Sequence, residues 1–160
     1  MSRNKTTVTI GIDPSTTCCG IAIYVNGKPI GTQALKFSDR YDYVKLKNIS
    51  YAFKKLFKGY NPDLIIIEEP FVFRVAGTRS ISALNQVVGA VFNEALNFTS
   101  EVILMHNSTV KKTLNIKGKN IKEVMMARAK EYYDEQFETQ DEADAVLLVE
   151  AYKKAYVEEE

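Results

Sequence analysis

Four carboxylates stand where chemistry can use them together. Asp13 directly follows the β-branched stretch 7–12, within Gly11-Ile12-Asp13-Pro14-Ser15-Thr16-Thr17. Glu68 ends the apolar run Asp63-Leu64-Ile65-Ile66-Ile67-Glu68, with Glu69 and Pro70 behind it. Asp141 and Asp144 lie three residues apart, a spacing that places both on one face at the start of a helix. Acids gathered without a counter-ion repel one another, and protonation or local unfolding relieves them. Mg²⁺ or Mn²⁺ removes that penalty, because hard cations prefer carboxylate oxygens. Two such ions about 4 Å apart clamp the attacking water and the leaving oxygen of a phosphodiester in line. Metal-assisted phosphodiester hydrolysis, with two ions per site, is the chemistry expected of this set.

Taken singly, each acid has an ordinary use. An Asp before Pro at a strand end is often a turn residue. Asp141 suits a helix N-cap and Asp144 a favourable first-turn charge. Glu at the end of an apolar strand is harder to explain away, since an unpaired acid there costs several kcal/mol. Glu69 leaves the second acid ambiguous, although counting from Asp63 favours Glu68. The joint pattern is far more specific than its parts.

The basic residues add a second signal. Net charge is only +1, which alone argues against a nucleic-acid partner. Yet between His106 and Lys130 the cations Lys111, Lys112, Lys117, Lys119, Lys122, Arg128 and Lys130 meet the single anion Glu123, and from Asp134 onward acids dominate. Such a division suits a phosphate-binding surface beside a metal site or an acidic tail; the alternative is two solvated helix faces. Lys111 and Lys122 have the chemistry to neutralise phosphate or charge building on a cleaved phosphoryl group. Arg74 and Arg79 can steer a DNA backbone. Near them Phe71, Val72 and Phe73 are apolar where a loop is expected; an exposed aromatic stacks on unpaired bases, whereas Phe73 is expected in the core. His106, the lone histidine, reads as structural or solvent-facing, and Tyr132 and Tyr133 as helix packing.

These groups need elements to hold them. Residues 7–12 and 21–25 read as strands, and Asn26-Gly27 is a hairpin signal leading into a third strand over 29–35, an antiparallel meander. Leu46, Ile49, Phe53, Leu56 and Tyr60 recur at helical spacing, and Gly59 with Asn61-Pro62 ends that helix. Residues 63–68 form an apolar run typical of an inner parallel strand. Ile81, Leu84, Val88, Val91, Ala95 and Phe98 repeat at helical spacing, and Val87 and Phe92 widen the apolar surface. That helix, over 80–98, is either deeply buried or packed against a second subunit. A strand at 102–105 and helices over about 120–133 and 141–156 complete the order βββ-α-β-α-β-α-α. This predicts one α/β domain over 1–160, a mixed five-stranded sheet flanked by helices. If the first and fourth strands are parallel neighbours, Asp13 and Glu68 meet at one sheet edge.

Composition bounds the setting. With 160 residues, 46% hydrophobic and 26% charged, the chain has the make-up of one soluble globular domain. No apolar run approaches the roughly 18 residues of a membrane span, and no signal or transit peptide is apparent. The cysteines, Cys18 and Cys19, are adjacent, a poor geometry for a bridge and not a zinc spacing. A reducing, cytoplasmic location is expected.

In order and spacing, Ile-Gly-Ile-Asp-Pro-Ser (10–15), Ile-Glu-Glu-Pro-Phe (67–71), Val-Lys-Lys-Thr-Leu (110–114) followed by Lys122, and Asp-Glu-Ala-Asp-Ala (141–145) resemble the RuvC family of Holliday-junction resolvases, of the ribonuclease H-like fold. The likeness spans about residues 7–152. It implies that the metal-binding acids fall on Asp13, Glu68, Asp141 and Asp144, the functional lysines on Lys111 and Lys122, and the junction-inserting aromatic on Phe71. Arg74, Arg79, Lys112, Lys117 and Lys119 would extend the DNA-binding surface. The resemblance also implies a homodimer, because resolving a four-way junction takes two symmetric nicks; the helix over 80–98 is the candidate interface, or else a buried core helix. Departures are Ser15, where the family usually has Gly, and Asn115, where a glycine is common in the basic loop. The short acidic end after the last helix leaves little tail for a branch-migration partner, and the sequence gives no evidence of one; the compact length suits a phage-encoded relative. Rival readings are a nuclease of the same fold acting on RNA or flapped DNA, an actin-like ATP-binding domain, for which Asp13-Pro14-Ser15-Thr16 is a faint match but a second domain has no room, and a non-catalytic junction binder, for which four acids would be costly.

Overall fold

The β-branched stretches near the N-terminus pair into the meander their patterning predicts. In the computed structural model, which describes residues 5–70 and 78–158 (side chains of 78–80 excepted), β1 (Val8–Asp13), β2 (Cys18–Val25) and β3 (Lys28–Lys36) run antiparallel. The β2–β3 turn places Asn26 and Gly27 at φ 51° and 78°, the left-handed pair that a two-residue hairpin matching strand twist requires. Helix α1 (Tyr43–Tyr60) starts at Asp42, whose carboxylate accepts from the Lys45 N–H at 2.9 Å. It stops where Asn61, rather than Gly59, turns left-handed at φ 48°.

From there the chain crosses back. β4 (Leu64–Glu69) lies parallel to β1, α2 (Thr78–Leu96) follows, and β5 (Val102–His106) lies parallel to β4. The sheet order is β3-β2-β1-β4-β5, the mixed sheet expected from the element order. On one face Ile10, Ile12, Ile21, Ile23, Ile65 and Ile67 pack with α1 and α2. On the other, Ala22, Tyr24 and Ile66 meet the C-terminal helices. β4 is therefore covered on both sides, which is why its sequence shows no polar alternation. Within α2, Val87, Val91 and Ala95 are fully buried, while Leu96 is 49% exposed. Among the described residues no helix is long and apolar enough to cross a membrane.

One element differs from the sequence expectation. The basic segment after β5 is not a loop: Asn107–Thr113 forms a short helix, α3, before α4 (Ile121–Tyr132) and α5 (Gln140–Tyr156). Val110 and Leu114, four apart, bury in the core there, but seven residues are too few to show a periodic pattern.

Close packing sets α5 on the first two strands. A Cβ added at Gly20 would lie 2.0 Å from the Asp141 carbonyl oxygen, and one at Gly11 would meet the Ala145 oxygen at 2.7 Å and Val149 Cγ2 at 2.5 Å. Only glycine permits this approach, and Ala143 and Ala145 keep the helix side equally thin. Gly20→Ala is therefore expected to lower unfolding free energy by about 1–3 kcal/mol or more through overpacking. Gly31→Ala, where nothing lies within 4 Å of the added carbon, should change it little; urea denaturation of both variants measures the difference.

Candidate active site

The carboxylates converge through two independent pieces of geometry. β1 and β4 are in register up to Ile12↔Ile67, so Asp13 and Glu68 come next, side by side at the carboxyl edge of the sheet. Asp13 is 9% exposed and is hydrogen-bonded to Glu68. The first turn of α5 supplies the others: one carboxylate oxygen each from Asp13, Asp141 and Asp144 lie within 4.8 Å of one another. Glu68 stands outside that trio and joins it through Asp13.

Local details separate the acids from their ordinary uses. Thr139 occupies the N-cap of α5, and Glu142 Oε2 accepts from the backbone N–H groups of Thr139, at 2.9 Å, and Glu138. The cap is thus filled by other residues, and the capping role considered for Asp141 is not its own. Asp144 Oδ1 accepts from the Gln140 amide at 2.9 Å. Strand alternation sends Glu69 the other way from Glu68. Its carboxylate meets Nε2 of His106, its partner across β5, at 2.9 Å. His106 is thus structural and partly exposed at once.

Electrostatics show what this convergence costs. Burial first, then the hydrogen bond and charge of Glu68, then Asp144 and Asp141, hold the Asp13 carboxyl well above its ordinary range. Asp144 is raised to about 6, chiefly by burial and by the charges of Glu68 and Asp141, against lowering hydrogen bonds from Gln140 and Asp13. Among the described residues no Lys or Arg makes an ion pair with Asp13, Asp141 or Asp144. An all-oxygen cluster with excess negative charge fits a hard divalent cation, whose charge would relieve both strains.

The surroundings form a cleft. Asp13, Pro14, Glu68, Glu69, Pro70 and Asn107 border a cavity of about 220 Å³. The loop after Asp13 is closed by Ser15, whose hydroxyl donates to the Cys18 carbonyl at 2.6 Å and accepts from the Cys18 N–H at 2.9 Å. This bonding accounts for a serine where the resemblance led us to look for glycine. Lys122 and Lys130 line a second cavity, of about 390 Å³, with Gln140, one hydrogen bond away from Asp144. Lys111 is half-buried in the last turn of α3, and Lys112, Lys117 and Lys119 are exposed around the turn that follows. In that turn Asn115 adopts φ 54°, doing the work of a glycine. Phe71, Arg74 and the side chain of Arg79 lie outside the described residues. Sequence reasoning missed Gln140 and Gly20; a glycine inside a strand pattern is a signal of close backbone approach.

Comparisons with known proteins point one way. The family model described as "Crossover junction endodeoxyribonuclease RuvC" matches residues 9–150. Among solved structures, Thermus thermophilus RuvC superposes with a TM-score of 0.74 at 19% identity, covering 92% of this chain and 94% of that one. T. thermophilus RuvC in complex with a Holliday junction substrate gives 0.75 at 18%, covering 92% and 93%. The yeast mitochondrial Holliday junction resolvase Ydc2 gives 0.60 at 14%, covering 92% and 78%. At these identities the structural likeness establishes the fold, and the family match carries the rest. No curated protein sequence matches significantly.

The raised carboxyls make a signed stability prediction. Between the ordinary 3.8 and about 6, folded Asp144 holds a proton that the unfolded chain has released. Its contribution to stability is therefore fully present below 3.8 and lost as pH rises through 6. A shift of that size is worth roughly 3 kcal/mol. Metal-free Asp144→Asn is expected to be more stable than wild type by about 2–3 kcal/mol at neutral pH, the advantage vanishing toward pH 4; urea denaturation across that range checks it. Mg²⁺ should narrow the gap at neutral pH.

Proposed function

This chain belongs to the RuvC family of crossover junction endodeoxyribonucleases, the divalent-metal-dependent Holliday-junction resolvases, and we propose that it makes paired symmetric nicks in four-way DNA with Asp13, Glu68, Asp141 and Asp144 as ligands of two Mg²⁺ or Mn²⁺ ions. The observation that carries the assignment is the convergence of Asp13, Asp141 and Asp144 within 4.8 Å, with Glu68 bonded to Asp13 and no ion-paired Lys or Arg on the trio among the described residues. When bound, the ions supply the positive charge that activates water and stabilises the leaving oxygen.

The protein's own groups do the rest. Asp13 and Glu68 form the rigid half of the site, fixed at the ends of two central strands. Asp141 and Asp144 form the half carried by α5, with Gln140 orienting Asp144. Lys111 and Lys122 place positive charge beside the phosphoryl group, where charge builds during cleavage. Lys112, Lys117, Lys119, Arg74 and Arg79 bind the backbone of the junction arms, and Phe71 inserts where bases unpair. The protein acts as a homodimer, because two nicks related by symmetry need two sites related by symmetry. The outer surface of α2, which carries exposed Leu96, forms the interface.

Two experiments test this reading. Asp13→Asn and Asp144→Asn should each abolish Mg²⁺-dependent nicking of a synthetic four-way junction while leaving junction binding nearly intact. Lys122→Ala should slow nicking about a hundredfold. Normal cutting by either Asn variant would remove the metal assignment, and equal cutting of flaps or RNA hybrids would replace the junction as substrate. For the dimer, Leu96→Glu is expected to convert the sedimentation profile from dimer to monomer and to uncouple the two nicks.

A further inference from the structure

The charged group least accounted for in the molecule is a lysine. Lys45 lies in the first turn of α1, on the helix face that packs against the sheet with Ile49 and Phe53, and is 4% exposed. Its ammonium is buried and has no hydrogen-bond partner. Nζ lies over the ring of Tyr41, 5.9 Å from the centroid, and that ring is fixed by a 2.6 Å hydrogen bond from the Tyr41 hydroxyl to Gln86 of α2. A π face attracts a cation but offers no lone pair of the kind an ammonium gives up on leaving water. A buried charge kept for structure alone is normally paired with a carboxylate or carbonyl.

The space next to this group is built for an anion. A cavity of about 320 Å³ between the end of β3 and the start of α1 is lined by Lys45, Lys36, Arg40, Ser38, Asn48 and Asp42, among others. Of the three cations, Lys36 pairs with Glu138 and Arg40 with Asp42 at 3.4 Å in solvent-exposed contacts, which leaves Lys45 as the one with no carboxylate partner among the described residues; Ser38 and Asn48 add a hydroxyl and an amide as donors. Its position connects it to the catalytic edge. Lys36 pairs across the sheet with Cys18, and Gly20, two residues on, pairs with Asp13. Lys45 also lies close enough to Cys19 for its charge to act on that thiol, which donates to the Ser15 carbonyl at 3.4 Å. The cavity therefore adjoins the loop that leaves Asp13, away from the basic stretch on α3 and α4.

We propose that this cavity is a second phosphate site, which takes a backbone phosphate of the DNA strand being cut, flanking the scissile one, with Lys45 as its buried counter-charge. The inference rests on the nuclease reading above. A phosphate oxyanion there would answer the charge of Lys45, which is buried in the cavity wall, and would draw Arg40 from its exposed pair with Asp42, with Ser38 as a further donor. Threading one strand through the acids and then into this cavity fixes the scissile phosphate from the side opposite Lys122.

The test is the salt dependence of binding to a labelled four-way junction, followed by fluorescence anisotropy with Ca²⁺ in place of Mg²⁺. Lys45→Met, which keeps the volume and removes the charge, should weaken binding about tenfold and reduce the slope of log Kd against log salt by about one phosphate contact. Lys45→Arg should retain the slope, and Arg40→Ala, exposed on the rim and harmless to the core, should lower it. Lys54→Met, on the outer face of α1, should not. An unchanged slope for Lys45→Met and Arg40→Ala beside normal wild-type binding would overturn this site and leave the nuclease intact. Failure of wild type to bind any junction would bring down both. Inorganic phosphate separates the two sources of the anion: Lys45-dependent thermal protection by phosphate with an unchanged DNA slope would mean a free-phosphate site and overturn the DNA assignment.

Discussion

The structure depends on one contact, the seating of α5 directly on β1 and β2. Gly20 and Gly11 remove the side chains that would hold the helix away, and the Asp141 carbonyl occupies the space a Cβ at Gly20 would need. The energy for this approach comes from burial, since Ala145, Val146, Leu147 and Val149 are all at 1% exposure or less. What it has to overcome is repulsion: the same seating pushes Asp141 and Asp144 toward Asp13. Asp13 and Asp144 answer by holding protons above their ordinary range. Apolar packing thus stores an electrostatic strain that only a proton or a divalent cation relieves.

Much of this was legible in the sequence, for a physical reason in each case. Asp13 and Glu68 stood out because each acid ends a run of buried residues, where an unpaired charge is expensive. The sheet followed from β-branched stretches and the Asn26-Gly27 turn, and the parallel β4 from its unbroken apolar pattern. The choice between Glu68 and Glu69 was half legible: counting from Asp63 favours Glu68, and the strand phase agrees, with His106 opposite Glu69. Three things were hidden. Helix α3 is too short for periodicity to reveal. The role of Gly20 depends on a carbonyl more than a hundred residues away, and the burial of Lys45 runs against the usual exposure of lysine on a helix. Local pattern carries local structure; close approach between distant segments does not leave that kind of trace.

The two halves of the acidic cluster differ in rigidity. Asp13 and Glu68 belong to central strands covered on both faces, so their backbone positions are fixed by the core. Asp141 and Asp144 ride on a helix terminus whose cap is supplied by Glu142 and whose position rests on glycine contacts. On the proposed metal reading, the strand pair would fix where an ion is held and the helix pair would complete its ligands. Gln140 links the helix pair to the groove of Lys122 and Lys130, so the Asp144 carboxylate is held by a residue that lines that basic surface.

Charge is laid out across the catalytic edge in the order a polyanion requires. The acids occupy the centre, where cations must come with the substrate or from solution. Lysines of α3 and α4 lie to one side, and the cavity holding Lys45 to the other. A net charge of +1 therefore gives little indication of binding, because what attracts DNA is the local arrangement and what repels it is confined to a cleft a cation can fill. An acidic centre between basic flanks would make affinity and cleavage separable properties on the proposed reading: the flanks would hold phosphates, and a divalent cation held by the acids would supply the charge that cleavage needs. The same separation explains why the fold tolerates so much unrelieved charge. Neutralising the acids permanently with lysine pairs would stabilise the folded chain, but it would fill the space in which the acids could hold a divalent cation.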